Sequence, residues 1–116
     1  MSGRILIVED DVLISMDLED ELMDRGFDAV GAATVAAAQR VLAEETPSFA
    51  LLDMHLKDET TFELAARLRG EGIPYIFISG NDAGSLPEEL KSSRILTKPV
   101  SMDVLAATME EMQAEA

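Results

Sequence analysis

The stretch Arg4-Ile5-Leu6-Ile7-Val8-Glu9-Asp10-Asp11 decides the fold, because a short apolar run ends abruptly in three acids. A continuous, largely β-branched run of this length is typical of a strand buried on both faces, as in a parallel sheet. Residues 12–25 then repeat apolar side chains at a helical spacing, and Gly26 follows as a stop signal. The chain therefore begins with a buried strand, an acidic loop and a helix.

The same alternation continues to the end of the chain. Further strands are predicted at residues 27–32, 49–52, 75–78 and 95–97. Further helices are predicted after the cap or first-turn residues Thr34, Thr60 or Thr61, Pro87 and Ser101, and the third of these runs only to Lys91. Five strands alternating with five helices predict one α/β domain over residues 1–116. Its doubly wound, five-stranded parallel sheet has helices on both faces.

The composition excludes several classes of function. The 116 residues include 23 acids against 9 Lys and Arg, and the net charge of -14 opposes binding to nucleic acid or to an anionic membrane. No apolar run approaches the roughly 18 residues of a membrane span, and no signal peptide is visible. The absence of cysteine excludes disulfides and thiolate metal sites. We therefore expect a cytoplasmic protein with no nucleic-acid or membrane partner.

Polar residues follow four of the predicted strands at the points where the strands end. They are Glu9 and Asp10, Asp53, Ser79 and Lys98. In parallel sheets ligands bind outside these carboxyl ends, so the side chains are expected to converge. Clustered carboxylates repel one another unless a cation joins them, and Mg²⁺ prefers oxygen ligands. With a cation and Lys98 beside it, Asp53 stays ionised and can act as a nucleophile in phosphoryl transfer.

Four short motifs, at residues 5–11 (ILIVEDD), 51–53 (LLD), 78–80 (ISG) and 97–99 (TKP), together carry a family resemblance. They resemble the receiver domain of bacterial two-component response regulators, the CheY-like family. The resemblance covers the whole chain and implies a flavodoxin-like fold with strand order 2-1-3-4-5. It points to the stand-alone, single-domain type. Several phrases are also similar to short alphaproteobacterial receivers, some of which act beside histidine kinases in stress signalling.

The resemblance implies a Mg²⁺ site around the acceptor Asp53. Asp10 matches a direct ligand of the ion, and Glu9 matches an acid that acts mainly through water. The backbone carbonyl of His55, two residues past the acceptor, matches a further ligand. A lone histidine lacks the spacing of a metal site, so we expect the His55 ring to lie in an exposed loop rather than on the ion.

The resemblance also implies how a phosphoryl group is held and sensed. Lys98 matches the lysine that binds a phosphoryl oxygen, and the bond before Pro99 is usually cis in the family. Ser79 matches the switch hydroxyl that moves toward the phosphoryl group. Asn81, two residues further on, is expected at the rim of the site. Ile95 occupies the switch position where the family commonly carries an aromatic residue.

The chain departs from the family pattern in three further places. Lys57 stands four residues after the acceptor, where a proline is common. Thr60 and Thr61 stand where Asp-Gly often opens the third helix. The spacing from Ser79 to Lys98 is short, which predicts a truncated, loop-rich fourth helix.

The function implied is that of a single-domain response regulator, with no enzymatic turnover. A sensor histidine kinase, a phosphotransfer protein or a small phosphodonor supplies the phosphoryl group to Asp53 in the presence of Mg²⁺. Phosphorylation then changes a face for an unidentified output protein, near the fourth helix, the fifth strand and the last helix. The protein is expected to be a monomer or a weak homodimer.

Other functions remain open on the same sequence. A phosphate sink or relay shuttle uses the same chemistry with a different output. A phosphorylation-independent binding module is suggested by the missing aromatic at Ile95. A haloacid-dehalogenase-type phosphatase needs a second Asp where His55 stands, and a flavodoxin-like flavin carrier needs phosphate donors where residues 9–11 are acidic. These last two are disfavoured.

Overall fold

Strands and helices alternate along the chain in the order that the sequence predicts. The computed structural model describes residues 3–80 and 86–115. The strands are β1 (Ile5–Val8), β2 (Ala29–Ala32), β3 (Phe49–Asp53), β4 (Tyr75–Ser79) and β5 (Ile95–Thr97). The α-helices of the described part are α1 (Val12–Asp24), α2 (Val35–Glu44), α3 (Phe62–Gly70) and α4 (Met102–Glu115), and Glu88–Leu90 form a 3₁₀ turn.

All five strands are parallel and form one sheet in the order β2-β1-β3-β4-β5. This confirms the predicted doubly wound, flavodoxin-like fold. Every residue of β1, β3 and β4 is buried, which explains why these three strands are nearly uninterrupted apolar runs. Because β3 lies at the centre of the sheet, Asp53 at its end is central too.

The helices cover the two faces of the sheet in pairs. On one face α1 and α4 contribute Leu18, Leu22, Leu105 and Met109 to a core cluster. On the other face α2 and α3 contribute Ala38, Leu64, Ala65 and Leu68. Two buried cores therefore hold the sheet rigid from both sides, and the strand ends that carry the polar residues are fixed by this packing.

Local backbone chemistry decides where α1 begins and where α1 and α3 end. Asp11 is the N-cap of α1, and its carboxylate accepts hydrogen bonds from the backbone N–H groups of Leu13 and Ile14. Gly26 and Gly72, just after α1 and α3, have φ values of 90° and 75°, where a side chain would be strained. Gly26 is the stop signal that the sequence predicts, and Gly72 ends α3 in the same way.

Two elements differ from the prediction. The predicted fourth helix from Pro87 to Lys91 is only the three-residue 3₁₀ turn Glu88–Leu90, because the segment holds too few residues for a second helical turn. The described residues therefore contain four α-helices rather than five. The second strand begins at Ala29 instead of residue 27, since Phe27 belongs to the turn that ends α1 and its N–H donates to the carbonyl of Leu22.

Candidate functional site

The buried polar side chains of the described residues lie near the carboxyl ends of the strands. Among the described residues, the buried polar or charged ones are Glu9, Asp53, Thr61 and Ser79, and their exposed fractions range from 0% to 7%. All four lie at or directly after a strand end or in the loop that follows β3. We call the set Glu9, Asp10, Asp53, Ser79 and Lys98 the acidic edge. Such a concentration of buried polar groups in one place indicates a functional site.

Lys98 joins the two buried acids of this edge. Its Nζ lies 3.0 Å from Oε1 of Glu9 and 3.0 Å from Oδ2 of Asp53. Its position is fixed by the sheet, because the backbone N–H of Lys98 donates to the carbonyl of Ser79 at 2.8 Å. The peptide bond between Lys98 and Pro99 is cis. One ammonium therefore neutralises part of the charge of two carboxylates.

The electrostatics of the edge are unbalanced without a cation. Burial and the hydrogen bond to Asp53 together raise the pKa of Glu9 to about 7, and the hydrogen bond to Lys98 offsets only part of this rise. Burial acts to lower the pKa of Lys98, but its hydrogen bonds to Asp53 and Glu9 outweigh that effect and the pKa is raised. Lys98 therefore stays charged, while Glu9 holds a proton in part of the population near neutral pH.

Asp10 completes a group of three carboxylates suited to a metal ion. One oxygen each from Glu9, Asp10 and Asp53 lie within 4.8 Å of one another. Asp10 is less buried than its neighbours, and its Oδ2 accepts a hydrogen bond from the backbone N–H of Lys57 at 2.6 Å. An all-oxygen set with excess negative charge fits a hard divalent cation such as Mg²⁺.

The loop after β3 holds Asp53 through one backbone N–H and one side-chain hydroxyl. The N–H of His55 donates to Oδ1 of Asp53 at 3.3 Å. The hydroxyl of Thr61 donates to the carbonyl of Asp53 at 2.8 Å, and Thr61 is fully buried. The His55 ring packs edge-on against Phe62, with ring centroids 5.6 Å apart, and His55 is half-buried rather than exposed as expected.

Thr61 is a site residue that the sequence analysis missed. The prediction treated Thr60 or Thr61 as a helix cap, since hydroxyl residues are common there. Thr61 does occupy the N-cap position of α3, but its side chain caps no N–H and bonds the acceptor strand instead. The sequence carries one signal for this role, because Thr60 and Thr61 stand where the family often has Asp-Gly.

The two switch positions lie on neighbouring strands. Ser79 is 1% exposed at the end of β4 and pairs in register with Thr97 of β5. Ile95 is half-buried at the start of β5, pairs with Phe77 and packs against the core on the α2–α3 face. Asn81, expected at the rim, lies outside the described residues.

The family whose sequence pattern matches this chain is described as the response regulator receiver domain, and it covers residues 5–110. Among curated proteins, the virulence transcriptional regulatory protein PhoP of Salmonella typhimurium is 28% identical over 114 residues. The transcriptional regulatory protein PhoP of Escherichia coli K12 is 26% identical. The match covers 94% of this chain and 51% of each PhoP, so the chain spans about half the length of these curated relatives.

Solved structures give the same result over nearly the whole chain. SdrG from Sphingomonas melonis Fr1 is 34% identical with a TM-score of 0.80, and the match covers 95% of this chain and 97% of that one. A BeF3-activated conformation of SdrG is 33% identical with a TM-score of 0.78, covering 97% and 98%. The PhyR receiver domain of Erythrobacter litoralis is 31% identical with a TM-score of 0.75, covering 95% and 88%.

Hydropathy along the helices gives one further observation. No helix within residues 3–80 and 86–115 combines the length and the apolar character needed to cross a bilayer.

Proposed function

The chain belongs to the family of response regulator receiver domains of two-component signalling, and we propose that it accepts a phosphoryl group on Asp53 in a Mg²⁺-dependent step. The observation that carries the proposal is the position of Lys98, whose Nζ lies 3.0 Å from both Asp53 and Glu9. The buried carboxylate of Asp53 lies beside one ammonium and two further acids. A cation must join this group before it can receive an anion such as a phosphoryl group.

The proposed step transfers a phosphoryl group from a phosphohistidine of a sensor kinase or phosphotransfer protein. A carboxylate oxygen of Asp53 attacks the phosphorus, a P–O bond forms, and the P–N bond to the donor breaks. The donor imidazole leaves with the electron pair of that bond and takes up a proton. Hydrolysis of the acyl phosphate later restores Asp53 and releases inorganic phosphate, with no turnover of another substrate.

The residues around Asp53 have two kinds of task in this step, to hold the metal ion and to hold the reacting groups. Glu9, Asp10, Asp53 and the backbone carbonyl of His55 are the groups that would hold Mg²⁺. The ion, when bound, neutralises the carboxylates and phosphoryl oxygens so that two anions can approach. Lys98 keeps its charge because its pKa is raised, and it binds a phosphoryl oxygen. The His55 N–H holds Oδ1 of Asp53 and so orients the attacking carboxylate.

The output is proposed to be a change in protein binding. Ser79 and Ile95 lie on adjacent strands, so a movement of the Ser79 hydroxyl toward a phosphoryl group would be passed to β5 at the edge of the sheet. A BeF3-activated conformation is described for the relative SdrG, and BeF3 mimics a phosphoryl group. We place the protein in the cytoplasm with its kinase, as a monomer or weak homodimer. Binding experiments with candidate partners identify the output protein. They also distinguish a binding switch from a phosphate sink or relay.

The test is an intact mass after incubation with acetyl phosphate and Mg²⁺. We expect a gain of one phosphoryl group in the wild type, and no gain with EDTA or in Asp53→Asn. Asp58→Asn is the matched control, because Asp58 is an exposed acid in the same loop and it should gain the group normally. Equal gain in wild type and Asp53→Asn would contradict the proposal.

A phosphorylation-independent binding module is the second candidate, favoured by the isoleucine at position 95. Beryllofluoride and Mg²⁺ followed by NMR separate the two. Shifts of the β5 and α4 amides that are absent in Asp53→Asn support the switch. An unchanged spectrum, together with no mass gain, supports the module.

A further inference from the structure

The backbone N–H of Lys57 contacts a proposed metal ligand directly. It donates to Oδ2 of Asp10 at 2.6 Å, across 47 positions of sequence, and so joins the loop after β3 to the loop after β1. A hydrogen bond to a charged acceptor at this distance is of the strong kind. Among the three carboxylates of the acidic edge, Asp10 is the least buried, so packing holds it in place least.

The loop that presents this N–H is itself fixed. His55 and Thr60 form an antiparallel bridge, and the N–H of Leu56 donates to the carbonyl of Glu59 at 2.8 Å. The Glu59 carboxylate accepts from the backbone N–H of Val35 at 3.0 Å, which ties the loop to the start of α2. The N–H of Lys57 is therefore presented by a closed turn with anchors at both ends, not by a free loop.

The residue type at position 57 decides whether this bond exists. Any residue except proline supplies a backbone N–H, and proline supplies none. A carboxylate has two oxygens, so Asp10 can accept from Lys57 with one and remain available to a cation with the other. Groups that hold a metal ligand in this way typically change metal affinity by about 10- to 100-fold when removed.

From this contact we infer that the main-chain N–H of Lys57 is a positioning group that preorganises Asp10 for Mg²⁺. The Lys57 side chain takes no part in the contact. The inference rests on the proposed function, since it concerns the same metal site, but it assigns a role at a position that the family pattern leaves to proline.

The test compares Lys57→Pro with Lys57→Ala in the full chain. Both variants lose the ammonium, but only the alanine variant keeps the N–H. Mg²⁺ titration followed by NMR should give Lys57→Pro a Kd about tenfold above that of Lys57→Ala, with both variants folded in EDTA. Equal Kd values in the two variants would overturn the inference.

A second substitution covers the case in which the proline ring disturbs the turn. An ester in place of the peptide bond between residues 56 and 57, made by semisynthesis, removes the same N–H without a ring. The ester protein should again bind Mg²⁺ about tenfold more weakly than the all-amide protein, and equal binding overturns the inference.

A metal-free measurement separates this inference from the proposed function. Hydrogen exchange of the Lys57 amide in EDTA should accelerate about tenfold or more in Asp10→Ala, because its acceptor is gone. Unchanged exchange overturns the inference even if the wild type accepts a phosphoryl group. Accelerated exchange in a protein that gains no phosphoryl group supports the contact and counts against the proposed function alone.

Discussion

The acidic edge and the described part of the connection between β4 and β5 (residues 86–94) differ in the contacts that hold them. At the acidic edge, three charged groups meet within hydrogen-bond distance, and Lys98 bridges Glu9 and Asp53 at 3.0 Å each. In the connection, a three-residue 3₁₀ turn stands where a helix is predicted, and Arg69 supports it through a bond to the carbonyl of Glu89. Phosphoryl transfer requires that the reacting atoms be held at fixed distances. A protein-binding face requires only a shape that matches its partner.

Lys98 is the residue of the acidic edge whose loss should slow the reaction most. Lys98→Met removes the ammonium that faces Asp53 while keeping side-chain length, so we expect the rate of phosphoryl gain from acetyl phosphate to fall about 100-fold or more. Lys91→Met, an exposed lysine in the connection, is the control and should stay within about twofold of the wild-type rate. Time-resolved intact mass measures both rates. Similar losses in the two variants would mean that general charge, not placement, governs the reaction.

Thr61 tests whether the edge depends on its buried hydroxyl. Thr61→Val leaves the carbonyl of Asp53 without the bond that now holds it, which should lower the free energy of unfolding by about 2 kcal/mol. Thr60→Val changes an exposed neighbour and should cost about 0.5 kcal/mol or less. Urea unfolding gives both values. Equal destabilisation would show that the hydroxyl of Thr61 is not a support of the acceptor strand.

Ile95 lies on β5, next to the connection, and away from the reacting groups. Because Ile95 is half-buried, Ile95→Ala should lower the free energy of unfolding by about 1 to 2 kcal/mol, less than a fully buried isoleucine would. The rate of phosphoryl gain should stay within about threefold, since Ile95 packs against the apolar core on the α2–α3 face. A rate loss of tenfold would contradict the separation of chemistry from output.

The pH dependence of stability gives the smallest effect. The pKa of Glu9 is about 7 in the folded protein against 4.5 for the ordinary group. Between these values the folded state holds a proton that the unfolded chain has released, so Glu9 favours folding below pH 4.5 and this contribution is lost as the pH rises through 7.

The measurement compares wild type with Glu9→Gln in EDTA, because the acids outside the acidic edge contribute equally to both proteins. From pH 5 to pH 8 the wild type should lose about 1 kcal/mol more of its free energy of unfolding than the variant, a modest value since Asp10 and Lys98 beside Glu9 are only half-buried. Lys98 stays charged throughout this range and does not contribute. Parallel curves for the two proteins would show that Glu9 is not under electrostatic strain.

Much of the fold follows from the sequence because strand burial and helix spacing are local signals. The runs ending at Glu9 and Asp53 predict buried strands, and Asp11 and Gly26 mark the ends of α1 by their own backbone chemistry. The acidic edge follows as well, because parallel strands bring their carboxyl ends together.

The parts that the sequence did not predict depend on contacts between distant segments. Whether Thr61 caps a helix or bonds Asp53 is decided by where the chain returns after β3, and no spacing records that. The bond from Lys57 to Asp10 is of the same kind, since a backbone N–H leaves no trace in residue type except the absence of proline. The short 3₁₀ turn was predicted as a helix because Pro87 starts both structures equally well.

The central claim is that the acyl phosphate forms on Asp53. Borohydride reduces an acyl phosphate of aspartate to homoserine, which marks the modified residue permanently for peptide mapping. After incubation with acetyl phosphate and Mg²⁺ and then borohydride, we expect homoserine at position 53 and aspartate unchanged at positions 10, 11 and 58. Homoserine at one of those other positions, with position 53 intact, would contradict the account.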